Sequence, residues 1–183
     1  HISTESVSRL ELRRHPWVLA GGGVRSVLKA LDGCGGTLKV VATTGVFGMT
    51  NADDCYSADA SVFRRHRVEA KSTRPILSGD SPRDWSAVPE AHCVFPYNDA
   101  GVLLDIAKKS ALGRYLWPYR EHLYSRATFN GGTYRSDGLP WWKWHQVASD
   151  KVQAKQKITY GEVATHNHYV VVERDVLCKQ SAP

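Results

Sequence analysis

The sequence predicts an α+β fold in which helices pack against one or more small mixed sheets. Two observations lead to this class. Segments with helical and strand-like patterns follow one another irregularly, rather than in the regular β-α-β alternation of a parallel sheet. The chain has 183 residues, of which 42% are hydrophobic and 23% are charged, and this is an ordinary globular composition. A chain of this length buries enough surface to fold without disulfides or metals.

The first half of the chain contains one predicted helix and two candidate strands. Four apolar residues share one helical face: Val24, Val27, Leu28 and Leu31. Gly33 follows as a stop signal. Residues 38–47 are rich in β-branched and apolar side chains and predict a strand, and residues 62–71 are a second candidate. The glycines at 21–23 lack the Gly-Lys-Ser/Thr of a P-loop, which favours a flexible start of the helix.

The second half of the chain predicts a loop, three strands and an interrupted helix. Residues 79–85 form a loop rich in turn residues, and residues 92–97 form a short strand ended by its proline. Residues 102–126 have helical periodicity, which Pro118 is expected to kink or restart because proline cannot continue the helical hydrogen bonds. Two further strands with a short connection are predicted at residues 158–163 and 166–173.

The polar and basic residues 1–16 are interpreted as a linker from an upstream domain, and residues 17–183 as one domain. Pro16 disfavours helix in the residue before it, and Trp17 begins the first apolar stretch. The chain does not begin with methionine, and residues 178–183 contain no stop signal except proline. We therefore expect both ends to be cuts, with the domain truncated at its C-terminus.

Charge and cysteine usage indicate a cytoplasmic protein that attracts polyanions. The formal net charge of +6 and the pI near 9.2 favour encounter with nucleic acid but do not bear on the fold. No apolar run approaches the roughly 20 residues that span a bilayer, so no membrane role is expected. The absence of Cys-x-x-Cys spacing predicts reduced thiols that mostly fill the core, at Cys34, Cys55, Cys93 and Cys178.

A cluster of basic residues lies within eleven positions of the first half: Arg64, Arg65, Arg67, Lys71 and Arg74. Such a cluster forms either a solvated surface or a set of contacts to phosphate groups. The sequence leaves both interpretations open.

Three tryptophans occur within four residues, at Trp141, Trp142 and Trp144. They are either core residues or a stacking surface for bases, because Lys143 and His145 alternate with them and require a solvated edge. An inserted aromatic ring could also support an opened base pair.

The consecutive residues His166, Asn167 and His168 allow two kinds of chemistry. The two imidazoles share a strand face and could bind a metal if His145 or Asp150 supplied a third ligand. The Asn167 amide could make a bidentate contact to adenine. No nucleophile elbow and no paired carboxylates specify an active site.

Three blocks near the end of the chain are long and rich in rare residues: Trp-Trp-Lys-Trp-His-Gln-Val-Ala at 141–148, Lys-Ile-Thr-Tyr at 157–160 and Val-Ala-Thr-His-Asn-His-Tyr-Val at 163–170. Three blocks precede them: Arg-Pro-Ile-Leu-Ser-Gly-Asp-Ser-Pro-Arg-Asp-Trp at 74–85, Phe-Pro-Tyr at 95–97 and Tyr-Leu-Trp-Pro-Tyr-Arg at 115–120. In this order they resemble the target recognition domain of large adenine-specific DNA methyltransferases, those of type IIG restriction-modification and BREX-type phage-defence systems. The resemblance covers roughly residues 13–183 and is strongest after residue 74.

The resemblance implies a target-recognition-domain-like fragment that binds double-stranded DNA and positions one adenine. The Asn-Pro-Pro-Tyr/Phe motif and the S-adenosylmethionine loop of the family do not occur here, so methyl transfer and its cofactor are expected from an upstream methyltransferase domain. The implied contacts to bases come from Gly79, Asp80, Arg83, Trp85, Trp141, Trp142, Lys143, Trp144, His145 and Asn167. The implied contacts to phosphates come from Arg64, Arg65, Arg67, Arg120, Arg126 and Lys157.

Two alternatives remain at the level of sequence. One is a metal-dependent nuclease or hydrolase that uses His145, His166 and His168. The other is a non-catalytic domain that binds other proteins of a defence system.

Overall fold

The computed structural model describes residues 6–13, 15, 17–19, 23–106, 110–166 and 168–183. The chain divides into two compact units, His1–Thr44 and Gly45–Pro183. Helices and several small sheets confirm the predicted α+β class. The predicted division between a linker and a domain at residue 16 stays a prediction.

The described residues form short helices and strands in an irregular order. The α-helices are α1 Val24–Gly33, α2 Leu38–Val41, α3 Asp53–Tyr56, α4 Ala60–Arg65, α5 Ala111–Leu116, α6 Arg120–Ser125 and α7 Ser149–Gln153. Single 3-10 turns lie at Glu11–Arg13, Ala70–Ser72 and Trp117–Tyr119. The strands are β1 Gly48–Met49, β2 Ser57–Ala58, β3 Thr73–Leu77, β4 Pro82–Arg83, β5 Ser86–Ala87, β6 Ala91–Val94, β7 Gln146–Val147, β8 Gln156–Thr159, β9 Val170–Glu173 and β10 Leu177–Cys178.

The first unit contains the predicted helix α1, whose apolar residues keep 37–60% of their surface exposed. The strand predicted at residues 38–47 is wrong, because α2 begins that segment and strand β1 starts only at Gly48. A strand forms where a neighbouring strand supplies hydrogen-bond partners for its backbone. Strand β1 has such a neighbour in the antiparallel strand β7.

The second unit is built on a four-stranded sheet of order β10-β3-β6-β2. Strand β3 is antiparallel to β6 and parallel to β10, while β2 is antiparallel to β6. Strand β6 confirms the strand predicted at residues 92–97. Apolar side chains from this sheet and from the helices form one core, in which Leu77, Val94 and Leu116 are fully buried.

The strand predicted at residues 62–71 is wrong, because helix α4 occupies its first half. The Asp59 carboxylate accepts a hydrogen bond of 2.7 Å from the Ser61 amide and so caps the helix, and Phe63 is buried in the core. A side-chain cap satisfies one of the free amides at a helix start. The helix ends at Arg65, and Arg67, two residues later, has a φ of 56° in the left-handed region.

The helix predicted from residue 102 begins later, at Ala111, where the Ser110 hydroxyl accepts a hydrogen bond of 2.9 Å from the Gly113 amide. Upstream, the Asn98 side chain accepts hydrogen bonds from the amides of Ala100 and Val102, which holds that segment in a turn. The restart expected at Pro118 is confirmed, since the 3-10 turn around it connects α5 to α6.

The two strands predicted at residues 158–163 and 166–173 are present as the antiparallel hairpin β8–β9, with Thr159 opposite Val170. The predicted bounds are wrong on the inner side, because β8 ends at Thr159 and β9 begins at Val170. Strand β10 then pairs with β3, and the segment after it stays packed: Ala182 is buried, and its carbonyl accepts a hydrogen bond of 2.8 Å from the Thr159 hydroxyl. All four cysteines are free thiols, and all except Cys34 are buried, as predicted. In the ranges that the structure describes, no helix has the length and apolar character needed to cross a membrane.

Candidate nucleic-acid interface

The predicted loop at residues 79–85 contains a tight hairpin with a tryptophan at its tip. Strands β4 and β5 pair antiparallel, with Arg83 opposite Ser86. The two turn residues, Asp84 and Trp85, have φ angles of 49° and 66°. A two-residue turn with both φ angles positive is usually occupied by Asn-Gly or Asp-Gly. A bulky residue in this region costs about 1–3 kcal/mol, so the surrounding contacts must hold it there.

The hairpin is held both at its turn and before its first strand. At the turn, the His168 Nδ1 atom accepts a hydrogen bond of 3.2 Å from the Asp84 amide. Before the first strand, the Gly79 amide donates to the Ser181 hydroxyl at 2.9 Å, and Arg83 Nη1 donates to the carbonyls of Gly79 and Pro82 at 3.2 and 2.6 Å. Pro82 itself is buried. The backbone of the hairpin is therefore fixed, while the Trp85 side chain is exposed.

Gly79 and Gly161 are glycines because the chain approaches them closely. A Cβ atom at Gly79 would lie 2.5 Å from the Ser181 carbonyl oxygen, and one at Gly161 would lie 2.7 Å from the Gly79 carbonyl oxygen. Gly79 was predicted as a base contact, and the structure places it in this packing between backbones.

The connection between β8 and β9 adds further rings beside the hairpin. Tyr160 and Tyr169 have ring centroids 5.5 Å apart, and His166 and His168 have ring centroids 6.2 Å apart. These four residues line a hollow of about 160 Å³ together with Gly161, Glu162 and Ala164. Asn167, predicted to contact adenine, lies outside the described residues.

A larger cleft of about 510 Å³ lies between the segment after β1 and the segment after β10. Trp144 and Ile76 contribute apolar surface to it. Its charged groups include Asp53 and Lys179, which form an ion pair of 2.9 Å. The cleft therefore offers polar and apolar contacts, with its lysine already paired to a carboxylate.

The exposed arginines of α4 and of the turn after it lie beside the aromatic residues of α5 and of the 3-10 turn that follows it. Arg64, Arg65 and Arg67 are exposed. Beside them, Phe63 and His66 pack against the Tyr115 ring at 5.2 and 5.3 Å. The rings of Tyr115 and Tyr119 have centroids 6.3 Å apart. The Arg120 guanidinium lies over the Trp117 ring, 4.4 Å from its centroid. We call this surface the helical basic face: Arg64, Arg65, Arg67, Trp117, Tyr119 and Arg120.

Arg120 belongs to this face but is paired with a carboxylate. Its Nη2 atom lies 2.6 Å from Glu121, which also pairs with Arg135. These side chains are partly or fully exposed, so the pairing is weak in water and a phosphate group can compete for the guanidinium.

The tryptophan block at residues 141–144 is mainly core. Trp144 is 1% exposed, and its indole nitrogen donates to the Val94 carbonyl at 3.1 Å. Trp141 is also buried, while Trp142 is partly buried and donates to the Leu104 carbonyl at 3.0 Å. Of the two interpretations that the sequence left open, the structure favours the core. Lys143 keeps part of its surface exposed.

His145 lies at the edge of this block. Its ring stacks on Phe129 at 4.1 Å, and its Nδ1 atom lies 3.5 Å from the Tyr134 hydroxyl. Burial, followed by the positive charges of Arg126 and Lys143, lowers the pKa of His145 below its usual value of 6.5. These surroundings favour the neutral imidazole.

Two of the predicted phosphate contacts serve the interior of the fold. Arg126 is 5% exposed, and its guanidinium donates to the carbonyls of Thr50, Leu123, Trp141 and Lys143 at distances of 2.6–3.0 Å. The Lys157 amine donates to the Arg174 carbonyl at 2.7 Å, and burial lowers its pKa. Both side chains therefore bind carbonyl groups of the fold itself.

Other shifted pKa values belong to groups packed in the core. Burial raises the pKa of the Cys93 thiol to about 12 and that of the Tyr115 phenol to about 12. Within the described part of the chain, no group of three or more His, Cys, Asp or Glu residues could hold a metal ion. The rings of His166 and His168 lie near each other, whereas His145 contacts Phe129 and Tyr134. These contacts therefore bring together two of the three proposed metal ligands.

Sequence reasoning missed the residues that hold the hairpin. His168 was considered as a metal ligand, and Ser181 and Gly161 were not considered at all. The partners of these residues lie far away in the chain. The Asp84–His168 and Gly79–Ser181 hydrogen bonds join residues that are 84 and 102 positions apart, and Gly161 approaches Gly79 from a similar distance along the chain. No local pattern in a single sequence indicates such contacts.

Comparison with known proteins gives one clear relation. No model of a known protein family matches the chain. Over 172 residues, or 93% of the chain, the sequence is 35% identical to the adenine-specific methyltransferase PglX of Streptomyces coelicolor. The chain is homologous to a segment of this methyltransferase. The relation confirms the predicted link to adenine-specific methyltransferases. Because the chain spans only 14% of the length of that relative, the activity of the whole protein comes to this chain only as a proposal.

Proposed function

We propose that the unit Gly45–Pro183 is the DNA-recognition part of an adenine-specific DNA methyltransferase of a restriction-modification or phage-defence system. In this proposal it binds double-stranded DNA and positions one adenine, and a methyltransferase domain supplies S-adenosylmethionine and the transfer of the methyl group. The observation that carries the proposal is the helical basic face, whose exposed guanidinium groups lie beside exposed aromatic rings. The relation to PglX supports the choice of parent enzyme.

Helix α4 follows β2, the strand at one edge of the four-stranded sheet, and the start of the hairpin contacts Ser181, just after β10 at the other edge. Three inter-strand spacings of about 4.8 Å separate these edge strands by roughly 14 Å. The major groove of DNA is about 12 Å wide. In this proposal one duplex contacts the helical basic face and the hairpin together.

The two surfaces have different roles in this proposal. The helical basic face contacts phosphates through Arg64, Arg65, Arg67 and Arg120, which orients the duplex but does not read its sequence. The hairpin and the loop before it contact the bases through Asp80, Arg83 and Trp85. Lys143 and His145, in the tryptophan block, are further candidates for contacts to bases. Arg83 Nη2 is 3.5 Å from Asp80, a long contact that a base edge can replace.

The test is DNA binding by the 183-residue chain over a series of salt concentrations, measured by fluorescence anisotropy with a mixed-sequence duplex. Neutralising Arg64, Arg65 and Arg67 together with glutamine should reduce the slope of log K against log salt by about 0.9 for each lost contact, or roughly 2.7 in total. The control removes the same charge at Arg13, Lys29 and Lys39, outside the proposed unit, and should leave the slope unchanged. Equal slopes for wild type and the α4 variant would overturn the assignment of the basic face.

A further inference from the structure

Trp85 stands out among the exposed aromatic residues because the fold makes no visible use of its ring. Its side chain is 74% exposed, and no ring or cation contact found among the described residues includes it. Phe129 is equally exposed at 74%, but it stacks on His145 at 4.1 Å. Trp85 therefore presents most of a large apolar ring to solvent.

The position of Trp85 is held by the fold although the turn conformation disfavours it. Its φ of 66° lies in a region that bulky residues rarely adopt. Below it, Pro82 is buried, Ala87 packs against the core, and the Asp84 amide is bound by His168. A bulky residue that is held in an unfavourable conformation, without packing to reward it, indicates a function outside the folded chain.

The chemistry of this residue matches insertion between bases. Aromatic and other apolar wedges enter the duplex between base steps and partly unstack them. An indole ring at the tip of a two-residue hairpin is thin enough to enter a base step, and the fixed base of the hairpin lets docking of the duplex press it inward. The phosphate contacts of the helical basic face would supply the docking.

We propose that Trp85 is a wedge that inserts into the base stack of the bound duplex and opens it beside the target base. This inference rests on the proposed DNA-binding function and assigns the hairpin a role in distorting DNA as well as reading it. It also explains why a tryptophan is found where glycine is preferred, since glycine would relieve the turn but provide no wedge.

The experiment compares two duplexes of the same sequence, one fully paired and one with a single abasic site, which is already unstacked. A wedge binds the second duplex more tightly because less unstacking is required. For the wild-type chain we expect a preference of about tenfold or more, measured as the ratio of the two Kd values by competition anisotropy. Trp85→Ala should bring this ratio close to one, Trp85→Phe should keep most of it, and Phe129→Ala should leave it unchanged.

Thermal unfolding separates this role from a structural one. Trp85→Gly should raise or preserve the Tm, because glycine adopts the left-handed turn without strain, while it should abolish the preference for the abasic duplex. A marked fall in Tm would instead show that the ring supports the fold, and an unchanged Kd ratio in Trp85→Ala would overturn the wedge. If the wild-type chain binds neither duplex, the proposed DNA-binding function fails together with the wedge. If Trp85→Ala binds both duplexes as the wild type does, only the wedge fails.

Discussion

Replacing Arg126 with methionine should destabilise the fold severely, because this side chain binds four carbonyls in three separate segments of the chain. Its guanidinium donates to the carbonyls of Thr50, Leu123, Trp141 and Lys143, and it lies over the Tyr134 ring at 4.1 Å. Methionine has a similar length but no donor, so the substitution leaves these carbonyls without partners. Three of the four bonds are fully buried, where water cannot replace them.

The size of the loss follows from the number of bonds. A buried hydrogen bond contributes about 1 kcal/mol net, and bonds to charged groups contribute somewhat more. Four bonds therefore amount to roughly 4 kcal/mol, a large part of the typical 5–15 kcal/mol of a folded domain. The substitution also removes the cost of burying the guanidinium charge, which offsets the extra strength of bonds to a charged group. The expected loss therefore stays near about 4 kcal/mol. For a chain of this size, about 4 kcal/mol corresponds to a fall in Tm of roughly 8–16 °C.

Urea unfolding followed by tryptophan fluorescence measures this loss, and thermal unfolding gives a second estimate. The matched control is Arg120→Met, since Arg120 pairs with Glu121 at the surface and its removal should cost about 1 kcal/mol or less. An Arg126→Met chain that unfolds at the same urea concentration as the wild type would refute the structural role. If that chain also lost about 0.9 from the salt slope of DNA binding, Arg126 would be a phosphate contact after all.

Three further predictions concern single residues. Gly79→Ala should lose about 1–3 kcal/mol of unfolding free energy, because the new Cβ would meet the Ser181 carbonyl, whereas Gly36→Ala, in open space, should change it little in the same urea experiment. Lys157→Met should leave the salt slope of DNA binding unchanged, because the amine is bound internally to Arg174; a slope reduced by about 0.9 would return it to the phosphate contacts. The lowered pKa of His145 means that the imidazole binds a proton more readily in the unfolded chain than in the folded one. The free energy of unfolding should therefore fall as the pH drops below about 6.5. Urea midpoints at two pH values measure this dependence, which His145→Gln should weaken.

The elements that the sequence predicts correctly are those with a strong local pattern. Helix α1 follows from four apolar residues on one face and a terminal glycine, and the break between α5 and α6 follows from Pro118. The hairpin β8–β9 follows from two strand-like stretches with a connection between them. Each of these signals depends on residues within one turn or one strand, so a single sequence contains all of it.

The incorrect strands show what such patterns lack. The segment at 62–71 contains β-branched and apolar residues, yet the Asp59 cap starts a helix and Phe63 anchors it in the core. An aspartate three positions before the predicted strand was a local signal of a helix start. The segment at 38–47 contains no such signal. Whether it forms a strand depends on the neighbouring strands that the fold provides, and local sequence does not reveal these.

Among the candidate site residues, too, the sequence indicates those with a local signal but does not reveal which ones bind distant partners. Arginines on the surface of α4 were found because they are concentrated in a few positions, but Arg126 was grouped with them because charge alone does not distinguish a guanidinium in solvent from one bound to four carbonyls. The tryptophan block was undecided for the same reason: the partners of Trp144 are Val94 and Tyr97, about 50 residues earlier.

The hairpin shows why a functional surface can depend on residues that do not touch its ligand. Trp85 is exposed through a turn that its own side chain disfavours, and the bonds that hold this turn come from His168 and Ser181. The conformation of the tip therefore depends on two segments near the end of the chain, and a substitution in either segment can displace Trp85 without changing that residue. His168→Ala should accordingly reproduce the loss of preference for abasic DNA that is expected of Trp85→Ala, although His168 itself need not contact a base.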